Sequence, residues 1–388
     1  MYVFAITPQI ERDTAWLEAA HARLGRGGVV SRRWAGRLRR DLRAEAIAAS
    51  SRMEGVSVDV EQTRRILSGD RPAGVSETDA ALVEGYRDAL AFGLSEVARV
   101  DFAWSRNLVL AVHAIAMRAA TNADPGSFRT GPVFVTDGSG GVIYSAPMAP
   151  LVSELVDEAC SWLNAHSEVP APILAAMLHA AIAGIHPFRD GNGRTARILA
   201  TLAMSRGGYS QPEFTSLEEW WGAHPRSYYG ALTCLGAEWK PDANATRFVA
   251  AHVRGQRRQV AALAGRLAVE RNVWTAVEDI VGEDLGLRPR ATEALFDAFH
   301  GRTVTNRYYR GVTGAAVATA TNDLAALQAA GLLSAVGEGR ARSYTGTFRL
   351  IALVASAAGV PVLAEADSSI GDQAAVVLEG LRRHIPRG

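Results

Sequence analysis

Two apolar runs organise the middle of the chain. Residues 173–185 (ILAAMLHAAIAGI) carry no charged side chain, and an alanine-rich run this apolar predicts a helix buried on every side. Residues 198–204 (ILATLAM) predict a second core helix, so the polar interruption at 186–197 bridges two buried elements. Upstream, residues 42–55 (LRAEAIAASSRMEG) predict a helix that Gly55 stops at its C-terminal end. Between them, Val133, Phe134, Val135 and Thr136 face Val142, Ile143 and Tyr144 across the turn-forming DGSGG, which predicts a β-hairpin. From 271 the pattern changes to short helices at 292–299, 304–314 and 315–330, then strand, glycine turn and strand over 331–345. The apolar remainder from 348 to 388 predicts helix.

The expected fold is mainly α, a helical bundle with one β-hairpin followed by a small α+β domain. Residues 1–110 form an N-terminal helical lobe, 111–255 the core with the polar interruption, 270–347 the α+β domain and 348–388 a helical tail. A chain of 388 residues is long enough for two or three domains. Its 48% hydrophobic content and formal charge of +1 exclude a disordered or strongly basic chain. The locally basic stretch 23–40 is offset by acidic residues elsewhere and reads as a solvated face. Cys160 and Cys234 are too few for a disulfide framework or a zinc site. No stretch reaches eighteen apolar residues and the first residues lack the pattern of a signal peptide, so no membrane contact and a cytoplasmic location are expected.

The interruption, HPFRDGNGRTAR, concentrates the candidate chemistry. Gly191 and Gly193 flank Asn192 where the second helix begins, so unpaired N–H groups and the positive end of the helix dipole converge there as a cradle for phosphate oxygens. Asp190 supplies a hard oxygen ligand for Mg²⁺, which needs only one or two carboxylates when phosphates complete its shell. Arg194 and Arg197, three apart, offer planar donor forks to the outer phosphates. His186 is the candidate general base. Phe188 anchors the loop, and Pro187 stiffens the approach. Singly, each residue has a plainer reading: a core histidine, a helix cap, a solvated arginine face. Together they describe a triphosphate site.

These residues match every specified position of the signature His-x-Phe-x-Asp/Glu-Gly-Asn-Gly-Arg-x-x-Arg and so resemble the Fic family. The resemblance implies a helical enzyme that transfers AMP from ATP to a Ser, Thr or Tyr hydroxyl of a protein and releases pyrophosphate. It implies that His186 deprotonates the target, Asp190 holds Mg²⁺, the Gly191-Asn192-Gly193 backbone cradles phosphates with Arg194 beside it, and Arg197 meets the γ-phosphate. Ser50 and Glu54, in SSRMEG, resemble the family's inhibitory motif, in the class whose inhibitory helix precedes the core, with Arg197 as the implied partner. An autoinhibited transferase follows. The same glutamate serves removal of AMP in some members, so both directions stay open.

The hairpin at Val133, Phe134, Val135 and Thr136 stands where the family carries a flap that aligns the target by strand addition, or else is a plain structural hairpin. Tyr228 and Tyr229 resemble the tyrosine pair that lines the base pocket, and read equally well as core packing. Leu235-Gly236-Ala237 lacks the polar residue that often follows, which leaves cytidine or uridine nucleotides open as donors. The 270–347 domain resembles a winged helix-turn-helix with Arg340 and Arg342 on its wing. Its third helix carries no lysine or arginine, so a protein or homodimer contact is favoured over DNA, whose affinity rests on phosphate contacts. A nucleotide-sensing DNA-binding regulator is the reading from another class, and the intact His186 argues against it.

Overall fold

The computed structural model describes residues 1–26, 33–136, 139–209, 216–284, 288–339, 342–360 and 370–384. The chain divides into two compact units, Met1–Gly28 with Leu38–Val260, and Val29–Arg37 with Ala261–Gly388. In chain order the first part holds α1 (Pro8–Arg26), α2 (Arg33–Met53), α3 (Val60–Leu67), α4 (Glu77–Val97), α5 (Arg106–Ala116), β1 (Phe134–Thr136), β2 (Val142–Ser145), α6 (Val152–Ala165), α7 (Ala171–Ile185), α8 (Asn192–Arg206), α9 (Glu218–Ala223), α10 (Pro225–Leu232) and α11 (Thr246–Asp279).

The fully apolar run behaves as its composition requires. Every residue of α7 except Ala183 is buried, and α8 is buried from Arg194 through Met204. Around this pair lie α4, α5 and α6, whose Val83, Val112 and Val156 are fully buried in one shared core. The flanking helices start on side-chain caps: Ser76 accepts from the Asp79 N–H and Ser105 from the Leu108 N–H, meeting donors that a helix leaves open at its first turn. Ile47 of α2 and Val56 just after it belong to the same core. The expected 1–110 lobe is therefore not a compact unit of its own, because its apolar faces close onto α7 and α8. The division at Val260 and Ala261 lies between the expected limits of 255 and 270, inside α11, a continuous 34-residue helix with no proline in its sequence.

The second unit contains α12 (Ala291–Phe299), β3 (Val304–Thr305), α13 (Asn306–Thr313), α14 (Val317–Ala329), β4 (Leu333–Val336), β5 (Ser343–Gly346), α15 (Phe348–Ala357) and α16 (Ile370–His384). Its sheet has the order β3-β5-β4, antiparallel throughout. Residues 304–305, expected as the start of a helix, instead form a strand. Val304 pairs with Tyr344 in the sheet while Thr305 caps α13 by accepting from the Tyr308 N–H. Arg340, expected on a wing, lies outside the described residues. No helix among the described residues is long and apolar enough to cross a membrane.

Candidate active site

The loop between α7 and α8 is held from several sides. His186 ends α7 in the left-handed region, with φ 50° and its N–H on the Ile182 carbonyl. A non-glycine residue there costs on the order of 1 kcal/mol and needs support. Arg129 supplies it: Nε donates to the His186 carbonyl at 2.8 Å, Nη2 to Pro147 at 2.6 Å and to Ile185 at 3.3 Å, and Nη1 to Gly131 at 2.9 Å. One buried side chain thus ties the 186–197 loop to both ends of the hairpin.

Asn192 closes the loop on itself. Its Oδ1 accepts from the Phe188 N–H at 2.9 Å and its Nδ2 donates to the Phe188 carbonyl at 2.8 Å. The side chain is thereby engaged in holding the loop, which leaves the Asn192 backbone N–H for the expected phosphate cradle. The Phe188 ring, fully buried, stacks on His113 with centroids 3.6 Å apart and planes 6° apart. His113 Nδ1 accepts from the Gly126 N–H, so Nε2 carries the proton and donates to the Asp190 carbonyl at 3.0 Å. Burial lowers its pKa to about 4, which keeps it neutral.

His186 is half-buried, and its Nδ1 lies 3.2 Å from the Ala183 carbonyl. A carbonyl only accepts, so the proton sits on Nδ1 and the Nε2 lone pair is left as a base. Burial lowers the pKa of this imidazole, against the opposing pull of its bond to Ala183, and so favours the neutral form.

Helix α8 opens on Gly191 at φ 78° with no side-chain cap. The N–H groups of residues 192–194 therefore have no partner within the helix, while that of Thr195 already reaches the Gly191 carbonyl. Asp190 is exposed, and its Oδ1 accepts from the Gly191 N–H at 2.6 Å. No group of three or more His, Cys, Asp or Glu among the described residues forms a metal cluster. One exposed carboxylate beside an anion cradle suits Mg²⁺ that arrives with phosphates.

The two arginines part company. Arg194 and Arg197 were expected to present open forks together, yet both are buried. Arg194 Nη1 lies 3.3 Å from Met117 Sδ, and burial lowers its pKa. Arg197 is engaged by the end of α2: Nε donates to Ser50 Oγ at 2.8 Å, Nη2 to Glu54 Oε1 at 2.7 Å and to the Ser50 carbonyl at 3.3 Å. Burial alone would depress its pKa, but the Glu54 charge, with Tyr228 and Tyr86 after it, reverses the shift and holds the guanidinium charged.

Local sequence places Glu54. Gly55 takes φ 81°, the Val56 N–H bonds the Ser51 carbonyl and the Gly55 N–H the Arg52 carbonyl, a Schellman end that leaves Glu54 as the C-cap. A Cβ at Gly193 would sit 2.2 Å from Glu54 Oε1, so glycine there is what admits the carboxylate.

Tyr228 is buried, its ring against Trp221 and its hydroxyl 3.2 Å from His179 Nε2. It offers no open face to a base, which corrects that part of the expected pocket; Tyr229 is 51% exposed. In the hairpin, β1 starts at Phe134, with Val133 just outside it, and Phe134, Val142 and Ile143 are exposed. Ser145 of β2 bonds Ala237 and Trp239 on its far side, so the outer edge of β1 is the one without a strand partner among the described residues. Sequence reasoning missed Arg129 and His113. Both act on main-chain carbonyls brought in by the fold, and no local spacing marks them.

Residues 103–204 match the model of the Fic/DOC family. Over 165 residues the chain is 35% identical to protein adenylyltransferase fic-1 of Caenorhabditis briggsae, covering 40% of this chain and 31% of that protein. It is 33% identical over 161 residues to protein adenylyltransferase Fic of Culex quinquefasciatus, with the same two coverages. The matched stretch thus spans about a third of the length of these curated relatives. The crystal structure of a Fic family protein from Desulfovibrio desulfuricans superposes with a TM-score of 0.61 at 21% identity, covering 90% of this chain and 98% of that one. That of a Fic domain containing signaling protein from Bacteroides thetaiotaomicron gives 0.52 at 19% identity, covering 65% and 97%. At such identities the likeness concerns the fold, a mainly helical bundle.

Proposed function

We propose that the chain transfers AMP from ATP to a hydroxyl side chain of a protein, with release of pyrophosphate, and that Glu54 restrains the reaction. The observation that carries this reading is the held loop itself: a neutral imidazole with Nε2 available stands beside an uncapped helix N-terminus in a stretch that matches the Fic/DOC family. His186 takes the proton of a target Ser, Thr or Tyr hydroxyl, and the oxygen attacks the α-phosphorus as the bond to pyrophosphate breaks. The N–H groups of 192–194 receive phosphate oxygens as charge shifts onto the leaving group. Asp190 would hold Mg²⁺, which when bound would neutralise phosphate charge. The open edge of β1 would align an extended target segment through main-chain hydrogen bonds.

With Glu54 in place, Arg197 cannot take the terminal phosphate, and the α-phosphorus of a bound ATP sits out of line for attack; a misplacement of about an ångström costs on the order of a hundredfold in rate. Intact mass after incubation with ATP and Mg²⁺ tests this. Glu54→Gly is expected to gain one AMP about a hundred times faster than wild type, and His186→Ala to gain none. An unmodified Glu54→Gly protein that binds ATP would sink the proposal, while loss of AMP from a modified target would assign the opposite direction. In the second unit, three short helices and a three-stranded sheet support a winged-helix domain. The exposed face of α14, neutral along its length, favours a protein partner or a second copy of the chain over DNA.

A further inference from the structure

Arg197 is joined to a second carboxylate besides Glu54. Its Nε donates to Ser50 Oγ at 2.8 Å. The Ser50 hydroxyl neighbours that of Tyr86, and Tyr86 donates to Glu218 Oε1 at 2.6 Å. All four groups are buried, Ser50 at 0% exposure, Tyr86 at 1%, Glu218 at 2% and Arg197 at 3%. A guanidinium can only donate and a carboxylate only accepts, so a relay through these neighbours has one order: Arg197 to Ser50, Ser50 to Tyr86, Tyr86 to Glu218. We propose that Glu218 is the resident counter-charge of Arg197, relayed through Ser50 and Tyr86, and that it keeps this arginine charged and in position when Glu54 withdraws. The functional part of this inference rests on the reading that Arg197 exchanges Glu54 for the terminal phosphate of a nucleotide.

A buried cation stripped of its partner is strongly destabilising. If Glu54 were the sole counter-charge, releasing the restraint would strand Arg197 in the core. The relay offsets that penalty and holds the guanidinium through Nε, which Glu54 does not use. Burial holds the neighbouring His179 and His252 neutral, the latter with its pKa lowered to about 3, while Arg43 and Arg87 line a second cavity with Tyr86 and Glu218. Glu218 Oε2 has no hydrogen-bond partner among the described residues, and Glu218 lines a cavity of about 10 Å³ with Trp221, His252 and Gln256, room for one water molecule.

The test is a melting cycle without nucleotide on wild type, Glu54→Gly, Glu218→Gln and the double variant. The double variant is expected to melt about 5 °C below the value that adding the two single shifts gives, because only there does Arg197 lose both charges. Additive shifts overturn the proposal. Should Glu218→Gln fail to fold, Tyr86→Phe keeps the ring, cuts the relay and is judged by the same criterion. In the Glu54→Gly background Tyr86→Phe is further expected to raise KM for ATP about tenfold with kcat nearly unchanged, the mark of lost binding; a fall in kcat at constant KM counts against a positioning role. Coupled melting in a protein that never gains AMP would sink the proposed activity and leave the relay standing, and AMP transfer with additive melting would do the reverse.

Discussion

The 186–197 loop and the α12–α14 region of the second unit are both rich in polar contacts, and they use them differently. Around the loop, buried side chains grip backbone: Arg129 donates to four carbonyls, Asn192 clasps Phe188 and His113 holds the Asp190 carbonyl. What they leave available is His186 Nε2 and the N–H groups that open α8. In the second unit the polar groups satisfy one another. Arg290 forks onto Asp323 at 2.6 and 3.0 Å, Tyr309 donates to the same carboxylate at 2.9 Å, and Asn306 donates to Thr321 at 3.0 Å. The outward residues of α14 are then alanines with Val317, Thr321, Asn322 and Gln328. A network that rigidly holds unused donors and acceptors marks chemistry, whereas one that closes on itself marks scaffold.

Breaking Arg129 should give the largest effect on the first side of this contrast. Lysine keeps the charge but has no planar fork, so Arg129→Lys leaves several of the four carbonyls without a donor and lets His186 relax from its left-handed conformation. In the Glu54→Gly background, initial rates of AMP incorporation are expected to fall about a hundredfold with little change in ATP affinity. An unchanged rate would mean the loop holds itself.

The histidines give the comparison a pH dependence. His113, His179, His186 and His252, all in the first unit, have pKa values lowered by burial, to about 4 for His113 and about 3 for His252. An imidazole with a lower pKa folded than unfolded binds its proton better in the unfolded chain. Stability is therefore full above the ordinary value of about 6.5 and is lost progressively as pH falls below it, down to the folded-state values. Thermal melting from pH 7.5 to 5 should show the first unit losing stability, with Tm lower by several degrees at pH 5, and a flat profile would contradict the buried neutral imidazoles. Activity follows the same sign: with its pKa lowered, His186 stays a competent base somewhat below pH 6.5.

What could be read from sequence was what local pattern determines. The uninterrupted apolar run gave the buried α7, Gly55 gave the end of α2, and the spacing of His186, Asp190 and the two glycines gave the loop. Arg129 and His113 stayed hidden because their partners are main-chain groups, most of them carbonyls 18 to 77 positions away, which carry no side-chain signature. Tyr228 was ambiguous for a related reason: an aromatic at helical spacing packs or stacks depending on what the fold sets against it, and Trp221 and His179 occupy that place. The same holds for residues 304–305, where a two-residue strand is decided by its partner across the sheet rather than by its own propensity.

The smallest expected effect sharpens the comparison from the other side. Asp323→Asn weakens the Arg290 fork and the Tyr309 contact, but the pair lies near the surface, where such interactions contribute modestly. A drop on the order of 2 °C in melting temperature is expected, with AMP transfer unchanged, because the second unit's network serves only its own packing. The hydrogen bond from Arg290 holds the Asp323 carboxyl below its ordinary value of 3.8, so its contribution is present at neutral pH and disappears as pH falls through the lowered value. Wild type and Asp323→Asn should accordingly converge in stability as pH falls below 3.8, while their difference persists at pH 7. If Asp323→Asn instead abolished transfer, the closed network would be part of the catalytic apparatus, and the distinction between held-open and self-satisfied polar groups would fail as a guide to function.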